Sequence, residues 1–281
     1  MSEYEVLLPN SDLERRKEYW EIGKGLQAAD GLRTSEYLEK IIAETLTGTY
    51  DTQKAAEKIT QYYRTNGNVA ADCRTDEADI SAARIAACLE TNDFKFSPVM
   101  LKSIHRRLFS DASDSIGLGK WAGVFRTNNL GKAERVLHGQ SMKYAAWEDI
   151  SDMLTYEFEE ERKKVYKLPF DDQQIDSIIK FMSGIWEIHP FAEGNTRTTS
   201  TFIIKYLQSL GIEINNDPFK NNASWLRDAL VRANHTDAQR GIVPDKSYLK
   251  MFFENILLDA GHDLASFDLV AEVKHESDHE R

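Results

Sequence analysis

The 281-residue chain is 41% hydrophobic and 29% charged, with 35 basic against 46 acidic side chains and a formal net charge of −11. That apolar share supports a packed core of one large domain, or one domain with a smaller companion, and excludes a wholly disordered or collagen-like chain. The acidic balance argues against nucleic acid as the main partner, and no apolar run is long enough for a membrane span.

The N-terminal residues MSEYEVLLPNSDLERR do not read as a signal peptide, and the two cysteines, Cys73 and Cys88, make no metal spacing, so a cytoplasmic setting is expected. Residues Asn10 to Asp12 open a helix that runs toward Gln27 and stops at Gly31. A second helix starts at Thr34 or Ser35, with Leu38, Ile41, Ile42 and Leu46 on one face, and a third runs from about Asp51 to Tyr63. Residues 1–65 therefore read as a small three-helix unit. The polar stretch Arg64 to Cys73 is either a boundary or a loop within one domain.

Helices follow over about 76–90 and from Ser97-Pro98 to Phe109, the latter with a capping serine and proline in the first turn. Residues 110–122 read as loop. Residues 123–138 lack a helical period and hold Asn128, Asn129 and Gly131, which suggests an extended segment and a short hairpin. Helix returns at about 145–163 and 171–187. In the second of these, Ile175, Ile178, Ile179, Met182, Ile185 and Trp186 form one stripe. Further helices are expected around Phe202 to Leu210, at 222–234 and at 246–259. The residues from 267 to 281 have no period and read as a frayed tail.

The chemistry concentrates in His189 to Ser200, HPFAEGNTRTTS. His189 can take a proton near neutral pH. Glu193 can hold a divalent cation through oxygen. Gly194, Asn195 and Thr196 open the next helix, whose free N–H groups favour phosphate, and Arg197 offers a planar guanidinium to phosphate oxygens. A structural histidine beside proline and an ordinary Glu-Gly-Asn turn are the plainer alternatives. The spacing is neither that of a Walker loop nor that of a zinc H-E-x-x-H site.

This segment resembles the Fic family signature H-x-F-x-[D/E]-G-N-G-R-x-x-R. His189, Phe191, Glu193, Gly194, Asn195 and Arg197 match it, and Trp121 to Arg126, WAGVFR, is similar to the G-x-[FY]-R run that leads into the family's flap. The resemblance implies an all-α Fic-type core over about 75–260 with a small β-hairpin flap. It further implies Mg²⁺-dependent transfer of AMP from ATP to a Ser, Thr or Tyr hydroxyl of a target protein. By position, His189 is the catalytic base, Glu193 the Mg²⁺ ligand, and Gly194, Asn195, Thr196, Arg197 and Ser200 the nucleotide-binding set. Phe191 anchors the loop in the core. Lys132, Glu134, Arg135 and Val136 of the flap would pair with the target as an added strand. A homodimer is allowed.

Two positions depart from the signature. Thr196 stands for its second glycine and would narrow the nucleotide site, and Ser200 stands for its second arginine. The loss of that arginine removes a charge-assisted bond of about 1.5–3 kcal/mol. Residues 1–65 resemble an antitoxin-type inhibitory module, whose glutamate normally pairs with that arginine. Asp30 occupies the matching place, one methylene shorter and with Leu26 where a hydroxyl is usual. Asp30-Gly31 is otherwise an ordinary helix end. The residues leave two functional classes, an adenylyltransferase with a weakened brake and a catalytically feeble Fic-like protein that binds nucleotide or regulates through partner contacts.

Overall fold

Capping residues and apolar stripes set the helix order in the computed structural model, which describes residues 10–66, 74–110 and 118–273. Helix α1 (Asn10–Gly25) runs into a 3-10 turn at Leu26–Asp30, which Gly31 ends with a φ of 70°. Helix α2 (Glu36–Leu46) starts at Ser35, whose hydroxyl accepts from the Leu38 N–H, and α3 (Thr52–Asn66) follows. Then come α4 (Thr75–Glu90), α5 (Pro98–Phe109) behind the Ser97 cap, and the single turn α6 (Leu118–Trp121).

Strands β1 (Gly131–Ala133) and β2 (Ser141–Lys143) form an antiparallel hairpin with Lys132 opposite Met142. Helix α7 (Ile150–Arg162) leads to α8 (Asp172–Ile188), which opens on a capping box between Asp171 and Gln174. Helices α9 (Asn195–Ser209), α10 (Asp217–Asn221), α11 (Ala223–Asn234) and α12 (Ser247–Leu258) complete the chain. The fold is all-α, with one two-stranded sheet among the described residues.

Helix α9 is the axis of the molecule. Every residue from Asn195 to Leu207 is buried, and α4, α5, α8 and the 3-10 turn pack around it. The expected α8 stripe, Ile175 to Trp186, is buried throughout. The N-terminal helices join the same core, since Trp20, Ile22, Leu38, Ile41 and Ile59 share one buried cluster with Phe109, Trp186 and Phe202. They are latched to α4 by Asp79, which accepts from the Ser35 N–H at 2.9 Å, the Ser35 hydroxyl at 2.5 Å and the Tyr63 hydroxyl at 2.6 Å. Of the proposed boundary at 64–73, residues 67–73, with Cys73, lie outside the described residues.

Helix α1 meets α4 at backbone distance. A Cβ placed on Gly23 would lie 2.3 Å from the carbonyl oxygen of Ala82. Alanine gains about 1 kcal/mol over glycine in helix propensity, while overpacking against rigid backbone costs about 1–3 kcal/mol. Gly23→Ala should therefore lower the thermal midpoint. A variant melting at or above the parent temperature would mean that this contact yields freely.

Four regions differ from the sequence expectation, one of them the helical turn α6 at Leu118–Trp121, inside the stretch 110–122 expected as loop. The hairpin places its second strand at 141–143, beyond the expected 123–138, because Arg135–Leu137 folds as a 3-10 turn that buries Val136 and Leu137. Helix α10 was not anticipated, being only five residues long. Residues 267–273 do not fray. Leu269 and Ala271 are each 2% exposed, their alternate spacing suits an extended strap, and the Ala271 N–H donates to the Val136 carbonyl at 2.8 Å. The remainder of that tail lies outside the described residues.

Candidate active site

The motif loop joins the end of α8 to the start of α9, and local packing fixes each turn of it. His189 closes α8 in the left-handed region, at φ 50° and ψ 59°, which swings its ring out of the helix. Phe191 is buried, and the Asn195 side chain clamps it from both sides. The Asn195 amide donates to the Phe191 carbonyl at 2.8 Å and its oxygen accepts the Phe191 N–H at 3.0 Å. Gly194 has a φ of 73°, and a Cβ there would lie 2.4 Å from the ring of Phe109, so only glycine fits.

Two residues outside the motif hold this loop, His105, which sequence reasoning did not single out, and Arg126 of the WAGVFR run. His105, fully buried on α5, stacks on Phe191 at 3.8 Å. Its Nδ1 accepts from the Gly123 N–H at 2.8 Å, and its Nε2 faces the Glu193 carbonyl at 3.0 Å. Burial pushes its imidazolium down to about 3, so it is a neutral spacer with its proton on Nε2. Arg126, 5% exposed, gathers four carbonyls. Its guanidinium donates to His189 and Ile188 at the end of α8, and to Asn128 and Ala145 at the two ends of the hairpin segment. The hairpin and the catalytic loop are thereby one unit.

The His189 ring stacks on Tyr144 at 3.7 Å, and its Nδ1 lies 3.3 Å from the Trp186 carbonyl. That contact places the proton on Nδ1 and leaves Nε2 with a bare lone pair. Burial pushes His189 down to about 3, so the ring is neutral at physiological pH. It faces a cavity of about 150 Å³ whose wall includes Glu193, Gly194, Asn195 and Thr196, with Asp30, Lys132 and Arg227 bringing charge to it. Glu193 takes the Gly194 N–H at 3.1 Å and is half-buried. A larger cleft, of about 790 Å³ between α3, α4 and α5, contains none of the motif residues.

The other expected residues fall in different places. Thr196 lines the cavity, but its hydroxyl accepts from the Trp186 indole at 2.9 Å, so it braces α8. Ser200 is fully buried one turn further along α9 and is not part of the cavity wall. Arg197 is also fully buried and stands behind Asp30. Its Nε lies 2.8 Å from Asp30 Oδ2, its Nη2 donates to Glu77 at 2.7 Å, and its Nη1 reaches Gln27 and Ser81 at 3.1 and 3.2 Å. Burial disfavours the charge on Asp30, but the Arg197 guanidinium outweighs it and holds the carboxyl below its ordinary range.

In the flap, Lys132 and Arg135 are exposed, whereas Glu134 and Val136 are not available to a target. Glu134 is 2% exposed and takes the Arg227 fork at 2.5 and 2.7 Å, and Val136 is buried by the 3-10 turn.

The helical core, hairpin and motif loop together correspond to a known domain: residues 95–207 match the Fic/DOC family. This stretch is a Fic domain. It runs from the cap of α5 through the hairpin and α8 to most of α9. Fic domains generally transfer nucleotidyl groups and use ATP and Mg²⁺. Comparison with curated proteins gives no match. No helix among the described residues is long and apolar enough to cross a membrane.

The residues fit a metal in one way only. No group of three or more His, Cys, Asp or Glu side chains among the described residues is placed to hold an ion. Glu193 alone could supply one carboxylate, and Mg²⁺ is commonly held by one or two carboxylates plus substrate phosphates.

Proposed function

We propose that this Fic domain transfers AMP from ATP to a hydroxyl of a target protein, with Asp30 acting as a brake. The observation that carries the reading is the placing of the His189 ring, stacked on Tyr144 with Nδ1 toward the Trp186 carbonyl, on one cavity with Glu193 and the N-terminus of α9. His189 Nε2 takes the proton of the target hydroxyl as its oxygen bonds to the α-phosphorus. The bond from that phosphorus to the bridging oxygen breaks, and pyrophosphate leaves with the electron pair. The backbone N–H groups at the start of α9 meet phosphate oxygens. Mg²⁺ held through Glu193 would offset phosphate charge. Lys132, on the exposed edge of β1, is the flap residue best placed to meet an extended target segment.

A cavity of about 150 Å³ is small beside the roughly 300–1,000 Å³ usual for ligand sites. Asp30 borders it, so the 3-10 turn has to withdraw before a triphosphate enters. One observation favours the second reading, a weak or regulatory Fic protein: the motif arginine is committed to two carboxylates. The deciding experiment is incubation with labelled ATP, Mg²⁺ and cell extract, alongside His189→Ala. Labelled protein that depends on His189 supports transfer, and no labelling under any condition supports the regulatory reading.

Glu193→Gln keeps the side-chain shape and removes its charge. The Mg²⁺ concentration for half-maximal labelling should rise about tenfold or more, as expected when a ligand carboxylate is lost. An unchanged Mg²⁺ titration would place the cation elsewhere.

A further inference from the structure

Arg197 occupies the phosphate-binding position of the motif, yet it does not border the cavity. Asp30 accounts for only part of this. The second carboxylate, Glu77, comes from α4 and has a cationic partner of its own besides Arg197. It is the third residue of α4, where the helix N-terminus favours a negative side chain. Arg74 grips it with Nε at 2.7 Å and Nη2 at 2.8 Å. Ser81, one turn further along α4, bonds to Gln27 at 2.7 Å, and both meet Arg197. The guanidinium lies over the Phe109 ring at 4.7 Å.

The two carboxylates differ in how they are mounted. Asp30 ends a five-residue 3-10 turn, is followed by Gly31, and touches the cavity. Glu77 is fully buried in the body of the core. If Asp30 withdraws, the chain Arg74–Glu77–Arg197 stays whole, whereas moving Arg197 away from Glu77 would strand a buried charge. We propose that Glu77 is a fixed anchor that keeps Arg197 out of the cavity whether or not Asp30 is in place. Arg197 is then a positioning residue for α9 and a dock for the brake. Phosphate is left to the α9 N–H groups, with Lys132 and Arg227 the cations that border the same space. This last consequence rests on the nucleotide-transfer reading; the anchoring itself does not.

The test follows the guanidinium of Arg197 directly, by NMR of arginine Nε–H and Nη–H groups in the full chain, assigned by the signals lost in Arg197→Lys. In the parent, Arg197 should exchange with solvent at least roughly tenfold more slowly than exposed Arg33. Asp30→Asn should preserve that protection, and Asp30→Asn with Glu77→Gln should abolish it. If Glu77→Gln fails to fold, Glu77→Asp keeps the charge on a shorter stem and should give partial loss. Loss of protection in Asp30→Asn alone, or its survival in the double variant, would overturn the anchor. Mg²⁺-ATP added to Asp30→Asn should shift the Gly194 and Asn195 amide signals without moving those of Arg197. ATP-dependent movement of Arg197 in that variant would also overturn the anchor. If Mg²⁺-ATP shifts no signal in any variant while the exchange pattern holds, the nucleotide reading fails and the anchor stands.

Discussion

Replacing His189 with alanine should reduce target labelling by roughly 10²–10⁴-fold while leaving the melting temperature and nucleotide affinity close to those of the parent. The size of the effect follows from the ring's task. A serine or threonine hydroxyl is a poor nucleophile until its proton is taken, and the cavity wall offers no other neutral nitrogen base. Glu193 and Asp30 are the nearby carboxylates, and each already has a partner, the Gly194 N–H and Arg197 respectively. Stability should change little, because the ring rests against Tyr144 at the cavity edge and its one polar contact is a weak one at 3.3 Å. The acid limb of the rate profile is a second check. With His189 pushed down to about 3 by burial, the ring stays unprotonated from about pH 5 to 8, so the rate of target labelling should be nearly flat there. A profile falling with a midpoint near 6.5 would show that the ring titrates as though in water. A His189→Ala variant labelling at the parent rate would remove the base assignment altogether.

The motif loop was legible in the sequence because its parts are contiguous. A base, a carboxylate and a helix start fall within one short run, and hydrophobic stripes on either side mark the helices that carry it. The same run concealed what its side chains do to each other. Asn195 matches the motif, but its side-chain amide is spent on the Phe191 backbone at both ends. Partners distant in sequence left no trace. Glu77 and Gln27 reach Arg197 from 120 and 170 residues away, and Arg227 reaches Glu134 from 93. The flap segment read as extended through Glu134 and Val136, because it lacks a helical period and holds Asn128, Asn129 and Gly131. Burial of Val136 in a 3-10 turn decided otherwise. His105 did leave a signal. It sits between Leu101, Ile104 and Leu108 on the buried face of α5, and a titratable group in such a stripe needs polar partners.

Replacing Arg197 with methionine should cost about 3–5 kcal/mol of folding stability, the largest loss expected from any single substitution in the site. Methionine fills much of the same volume, so packing over Phe109 is largely retained and the deficit is electrostatic. Glu77 is fully buried; without Arg197 its remaining ion pair among the described residues is with Arg74. Asp30, 7% exposed at its side chain, loses its ion pair, and Gln27 and Ser81 lose a donor. The sign of the pH dependence follows from Asp30. Its carboxyl is held below the ordinary range in the folded protein, burial opposing and Arg197 prevailing, so the unfolded chain binds its proton first as pH falls. The stability that Asp30 contributes is therefore full above about pH 4–5 and is lost on further acidification, and in Arg197→Met much of that acid-dependent loss should disappear. Denaturant melts of parent and variant at pH 7 and at about pH 3 measure both effects. If the two proteins differ by less than about 1 kcal/mol at pH 7, the pair behaves as a solvated surface bridge, and the N-terminal turn is not locked onto α9 through this arginine.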